Sequence, residues 1–112
     1  DVRPDFVIGD RYGTSASGEI VHCATQILRE KNYTVAINKP YAGGFITEHY
    51  GRPKDGLHAV QIEINRRLYM DEIRMVTNDG FIRVRDDLAD FANQLTAVCS
   101  GDFAGQYSLA AE

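Results

Sequence analysis

A short apolar run, a capped amphipathic stretch and a β-branched run follow one another within residues 1–38, and that order narrows the possible folds more than any other feature of the chain. Phe6-Val7-Ile8 stops at Gly9-Asp10, as a buried strand stops at a turn. Ser15 or Ser17 can then accept an orphan backbone N–H at a helix start, and Glu19 suits the positive end of that helix. Ile20, Cys23, Ala24, Ile27 and Leu28 recur at helical spacing and form one apolar stripe, which ends at Lys31-Asn32. Residues 33–38 (Y-T-V-A-I-N) read as a second strand. Strand, helix, strand suggests a right-handed crossover with two parallel strands.

Residues 59–65 (A-V-Q-I-E-I-N) supply the next strand. Val60, Ile62 and Ile64 alternate with Gln61, Glu63 and Asn65, the period-two signature of a strand with unlike faces. Alternation of this kind usually marks an edge or half-buried strand whose polar face meets water. The sharper reading has Glu63 pointing into a site roofed by the preceding segment. That segment, residues 39–58, has no useful period beyond a turn of strand at Phe45-Ile46-Thr47, yet carries Tyr41, Phe45, Ile46, Tyr50 and Leu57. It reads as a pocket lid or wall, or as a pair of hairpins.

Beyond the strand, residues 66–71 continue as a helical turn or short extension, and Asn78-Asp79-Gly80 signals a hairpin-type turn. A short strand is expected at residues 81–84. Asp86 or Asp87 would then cap a final helix with Leu88, Phe91, Ala92, Leu95, Val98 and Cys99 on its apolar stripe and Gly101 as its stop, followed by a tail expected to fray.

A net charge of −4, with Arg66-Arg67 flanked by acids, argues against nucleic acid as the main partner. No apolar run approaches the length of a membrane span. The start lacks both an initiator Met and a signal-peptide pattern, so the expectation is a cytoplasmic protein, processed or part of a longer one. Cys23 and Cys99 each lie within an apolar helical pattern and read as buried free thiols.

No complete catalytic set stands out from spacing. The glycines of G-D-R-Y-G-T-S-A-S-G match neither the phosphate loop nor the dinucleotide fingerprint, although Arg11, at the end of a strand, is an anion-binding candidate. His22 reads as a surface or structural histidine, and a zinc site from His49, His58 and Glu63 has no established ligand spacing.

Two segments carry a family resemblance. D-F-V-I-G-D-R-Y-G-T-S-A (residues 5–16) and the run N-K-P-Y-A-G-G-F-I-T-E-H-Y-G-R-P-K-D-G-L-H-A-V-Q-I-E-I-N-R-R-L-Y-M-D-E (residues 38–72) resemble the N-formylglutamate amidohydrolases, or deformylases. The resemblance implies a zinc-dependent hydrolase related to zinc carboxypeptidases and aspartoacylases, with an α/β fold built on a mixed, largely parallel sheet flanked by helices, cleaving N-formyl-L-glutamate to formate and glutamate late in histidine degradation. Residues 1–112 would be the C-terminal portion of its single α/β domain. The family's zinc ligands, a His/Glu pair and a His in an Asp-x-His-Ser motif, precede the G-D-R-x-G-T-S motif, so the zinc and the N-terminal remainder of the enzyme are expected outside this chain, leaving it inactive alone.

Within this portion the resemblance implies that Glu63 is the general acid/base. Arg11, Arg52 and Arg66 are the candidates for the substrate's carboxylates, with Tyr41, Thr47 and Tyr50 as hydroxyl donors, and His58 would orient Glu63 or substrate. Gln61, Glu63 and Asn65 would form the floor of the site. The alternatives are an amidohydrolase for another N-acyl amino acid and a non-catalytic scaffold that has lost its metal.

Overall fold

Strand β1 (Phe6–Gly9) and helix α1 (Gly18–Glu30) form where the apolar run and the stripe place them, followed by strand β2 (Val35–Ile37) parallel to β1. The structure, a computed structural model, describes residues 3–102 and 107–111. Ser17 is the helix cap, its hydroxyl accepting from the Ile20 N–H at 3.4 Å. Strand β3 (His58–Ile64) runs antiparallel to β1, and β6 (Tyr107–Ala111) runs parallel to β3. The strand order is therefore β2-β1-β3-β6, a mixed sheet in which two of the three pairings are parallel.

One face of this sheet is closed by helices. Phe6, Ile8, Val60 and Ile62 pack with Ile20, Ala24 and Leu28 of α1 and with Phe91, Leu95 and Cys99 of α3 (Phe81–Asp102). Tyr33 meets Phe6 edge to face at 4.8 Å and gives its hydroxyl hydrogen to Asp87 Oδ2 at 2.5 Å, tying the entry of β2 to α3. Burial and that acceptor push the Tyr33 phenol up to about 12. Cys23 and Cys99 are free thiols, half-buried and buried.

Four expectations need correction. Residues 45–47 belong not to a strand but to a short helix, α2 (Phe45–Tyr50), followed by a 3-10 turn at Pro53–Asp55, so residues 39–58 are not a hairpin pair. The Thr47 hydroxyl donates to the Gly44 carbonyl at 2.9 Å and closes the first turn of α2. Residues 81–84 begin α3 rather than forming a strand, and the turn before them leads into that helix. The Gly80 N–H donates to Asn78 Oδ1 at 2.8 Å and the Val84 N–H to the Gly80 carbonyl at 3.0 Å, so nucleation lies ahead of Asp86 and Asp87. That helix also runs through Gly101 to Asp102, since one glycine costs only ~1 kcal/mol within a packed helix. Residues 107–111, expected to fray, pair with β3, while residues 103–106 and 112 lie outside the described part. That pairing makes β3 an interior strand rather than an edge.

The helical turn expected after β3 is present at Arg66–Leu68, and a small antiparallel pair, β4 (Met70–Asp71) with β5 (Val76–Thr77), follows it. Among the described residues no helix is long and apolar enough to cross a membrane.

Candidate active site

The second face of the sheet is covered by backbone rather than by a large helix. Gly9 makes this possible, because a Cβ there would lie 2.7 Å from the carbonyl carbon of Ala42 and the nitrogen of Gly43. The Arg11 N–H donates to the Ala42 carbonyl at 2.7 Å and fastens the segment at that height. Residues 42–44 thus lie directly over the end of β1, reached through a cis peptide bond between Lys39 and Pro40.

Gly9 stands opposite Gln61, and Val7 opposite Glu63, so all four share this face. The Gly44 N–H donates to Gln61 Oε1 at 2.8 Å, and Gln61 Nε2 donates to Glu63 Oε1 at 2.6 Å. Gln61 is only 6% exposed, so the polar face of β3 is covered, contrary to the solvent-facing reading of its alternation. Glu63 is half-buried and borders a pocket of about 390 Å³ lined also by Arg3, Tyr41, Asn65, Arg66, Tyr69 and Glu72. Asn65 positions the arginines that follow, its Oδ1 accepting from the Arg67 N–H at 3.2 Å at the start of the 3-10 turn.

Of the residues singled out from sequence, Glu63, Tyr41 and Arg66 are brought to this one pocket. Arg11 is turned toward α2, donating to the Gly43 carbonyl at 3.4 Å and lying 3.6 Å from Glu48. Arg52 lines a separate pocket of about 400 Å³ with Phe45, Glu48 and His49, where the His49 ring stacks on Phe45. Tyr50 is exposed, and Thr47 is buried with its hydroxyl on Gly44. His58 lies on the opposite face of β3 from Glu63, because five residues separate them and side chains alternate. There its Nδ1 accepts the Ser17 N–H at 2.9 Å, which anchors the start of α1, and burial lowers its pKa.

Sequence reasoning passed over Arg3 and the role of the Asp10-Asn38 pair. Asp10 Oδ1 accepts from Asn38 Nδ2 at 2.7 Å and from the Gly13 N–H at 2.9 Å, while Asn38 Oδ1 accepts the Asp10 N–H at 3.0 Å. This lock holds Arg11 and Tyr12 in the left-handed region, at φ 54° and 56°, a conformation that non-glycine residues adopt only under constraint. An acidic residue between a strand end and a glycine-rich turn was the available signal for Asp10. Nothing local marks Arg3, which reaches the pocket only because its segment runs beside β3.

Zinc needs three or more grouped donors in a site of this kind. Among the described residues no group of three or more His, Cys, Asp or Glu side chains could hold a metal ion, so these residues alone do not fit one.

The fold is thus a mixed α/β sheet with Glu63, Arg3 and Arg66 bordering one pocket. The chain belongs to the N-formylglutamate amidohydrolase family, whose model matches residues 1–70. It is similar to the N-formylglutamate deformylase of Pseudomonas aeruginosa, 36% identical over 70 residues that make up 62% of this chain and 26% of that protein. The N-formylglutamate deformylase of Pseudomonas putida is 34% identical over 87 residues, 77% of this chain and 30% of that protein. The crystal structure of an N-formylglutamate amidohydrolase from Ralstonia eutropha JMP134 superposes with a TM-score of 0.81 at 39% identity, covering 90% of this chain and 37% of that one. The chain therefore spans between a quarter and two-fifths of the length of these relatives.

Proposed function

We propose that this chain is part of an enzyme that hydrolyses the formamide bond of N-formyl-L-glutamate, with Glu63 as the proton-transfer carboxylate. The observation that carries the reading is the shared pocket: within the residues matched by the family, Glu63 faces the same space as Arg3, Tyr41 and Arg66. As water adds to the formyl carbon, a carboxylate in that place takes the water's proton. It returns the proton to the amide nitrogen as the C–N bond breaks, so formate and the free amine leave with the atoms balanced. The substrate's two carboxylates call for guanidinium forks, which bind them in bidentate fashion. In this reading Arg66 and Arg3, which border the pocket, take that role, with Tyr41 as a hydroxyl donor; Arg11, Thr47, Tyr50, Arg52 and His58 are not among the residues lining this pocket.

The proposal includes a zinc-carboxypeptidase-like frame of which this chain is the C-terminal part, with zinc held by ligands outside these residues. Its test is Glu63→Gln in the full-length, metal-loaded protein. Deformylation is expected to fall by roughly 10²- to 10⁴-fold, the usual contribution of a positioned acid/base. A variant that keeps a near-normal rate, with the fold intact by circular dichroism, would remove Glu63 from the chemistry and the reading with it.

A further inference from the structure

We infer that Gln61 is the positioning residue for Glu63, holding its Oε1 as a hydrogen-bond acceptor; this rests on the functional reading above. The Gly44 N–H can only donate, so it selects the carbonyl oxygen of the Gln61 amide at 2.8 Å. The amide NH₂ is thereby turned toward Glu63, and it too can only donate. Its partner at 2.6 Å, Glu63 Oε1, is held as an acceptor, a contact that favours the ionised carboxylate.

The clamp is built from three positions. Gly9, opposite Gln61, has no side chain, so residues 42–44 can settle onto the sheet and present the Gly44 N–H. Gln61 is nearly fully buried, where a hydrogen bond to a carboxylate is stronger than in water. Among the described residues, the charged and titratable groups lining the pocket with Glu63 are Arg3 from the N-terminal segment, Tyr41 from the covering segment, and Arg66, Tyr69 and Glu72 beyond β3. From β1 the facing residue is the uncharged Val7.

The test compares Gln61→Met, which keeps the volume and removes the donor, with Gln61→Glu and with Glu63→Gln. The acid limb of the kcat/KM profile is read in the full-length enzyme, and the Glu63 carboxyl titration is read by ¹³C NMR in this chain. Removing a hydrogen bond to a carboxylate disfavours its charged form, so Gln61→Met is expected to raise both midpoints together by about one pH unit. It should also lower kcat about tenfold with KM changed less than about threefold, the pattern of a group acting in the transition state. Gln61→Glu places two carboxyls side by side to share one proton and should move the limb further upward. Its singly protonated form reproduces the acceptor and donor of glutamine, so it serves if the methionine variant fails to fold. Unchanged midpoints in either folded variant, or an NMR shift with no matching shift of the acid limb, would overturn the positioning role while Glu63→Gln remained inactive. An active Glu63→Gln would instead overturn the functional reading on which the inference stands.

Discussion

The imidazole of His58 is buried with Nδ1 facing the Ser17 N–H, so the native contact requires the neutral ring. Burial lowers its pKa below the ordinary 6.5, and the unfolded chain therefore takes up the proton first as pH falls. The side chain's contribution is intact above that ordinary value and is lost as pH drops below it toward the lower native value. The melting temperature should accordingly fall between pH 7 and pH 5, and His58→Asn should flatten that dependence. Asparagine carries an oxygen at the branch point where Nδ1 stands, but it does not titrate. His58→Ala should cost about 1–3 kcal/mol at neutral pH by leaving the half-buried Ser17 N–H without its acceptor, measured by denaturant unfolding. A flat wild-type profile would exclude His58 as the group responsible. At this scale Glu63 was legible from alternation joined to its motif. The face of His58 was misjudged: it was expected to orient Glu63 or substrate, but the strand starts one residue earlier and an odd separation turns it to the other side. Arg3 was not legible, because strand neighbours far apart in sequence bring it in.

Among the elements, β1, α1 and β2 follow from local pattern because one stripe and one cap suffice to specify them. Helix α2 escaped notice since six residues are too few for a periodic signal and its cap, Gly44, offers no side chain. The start of α3 was misread because Phe81, Ile82 and Val84 favour strands intrinsically. Packing overrode that preference: Val84 is buried and extends the stripe of Phe91 and Leu95 backward at helical spacing. The covering segment also makes a paired prediction. Gly9→Ala would drive a methyl into the Ala42-Gly43 backbone, costing about 1–3 kcal/mol and speeding hydrogen exchange at the Gly44 amide. Gly18→Ala, at the start of α1 with open space around it, should instead stabilise by about 0.5–1 kcal/mol. Equal melting temperatures for the two variants would mean that residues 42–44 are not seated on Gly9.

Over the whole molecule, strand order was the least legible property. The crossover fixed β1 beside β2, but only the antiparallel return of β3 and the parallel addition of β6 complete the sheet β2-β1-β3-β6. Neither pairing leaves a local trace, and the small residues of the last strand carry no apolar alternation long enough to announce it. The chain spans 26% to 37% of its relatives' length, and the metal proposal belongs to that larger scale. Calorimetric titration of zinc into this chain should show no tight stoichiometric site, whereas the full-length protein should hold one zinc per chain by elemental analysis. A tight site on this chain alone would relocate the ligands into it.

Strand β3 carries His58 toward the helices and Glu63 toward the pocket, and only the count of residues between them keeps the two apart. Deleting one residue between the two would exchange inside for outside along the rest of the strand, sending isoleucines to the pocket and a carboxylate into the core. Evolution can lengthen or shorten the 3-10 turn at Pro53–Asp55, but in β3 it is confined to substitution. Related sequences should therefore show gaps up to the strand and none within it.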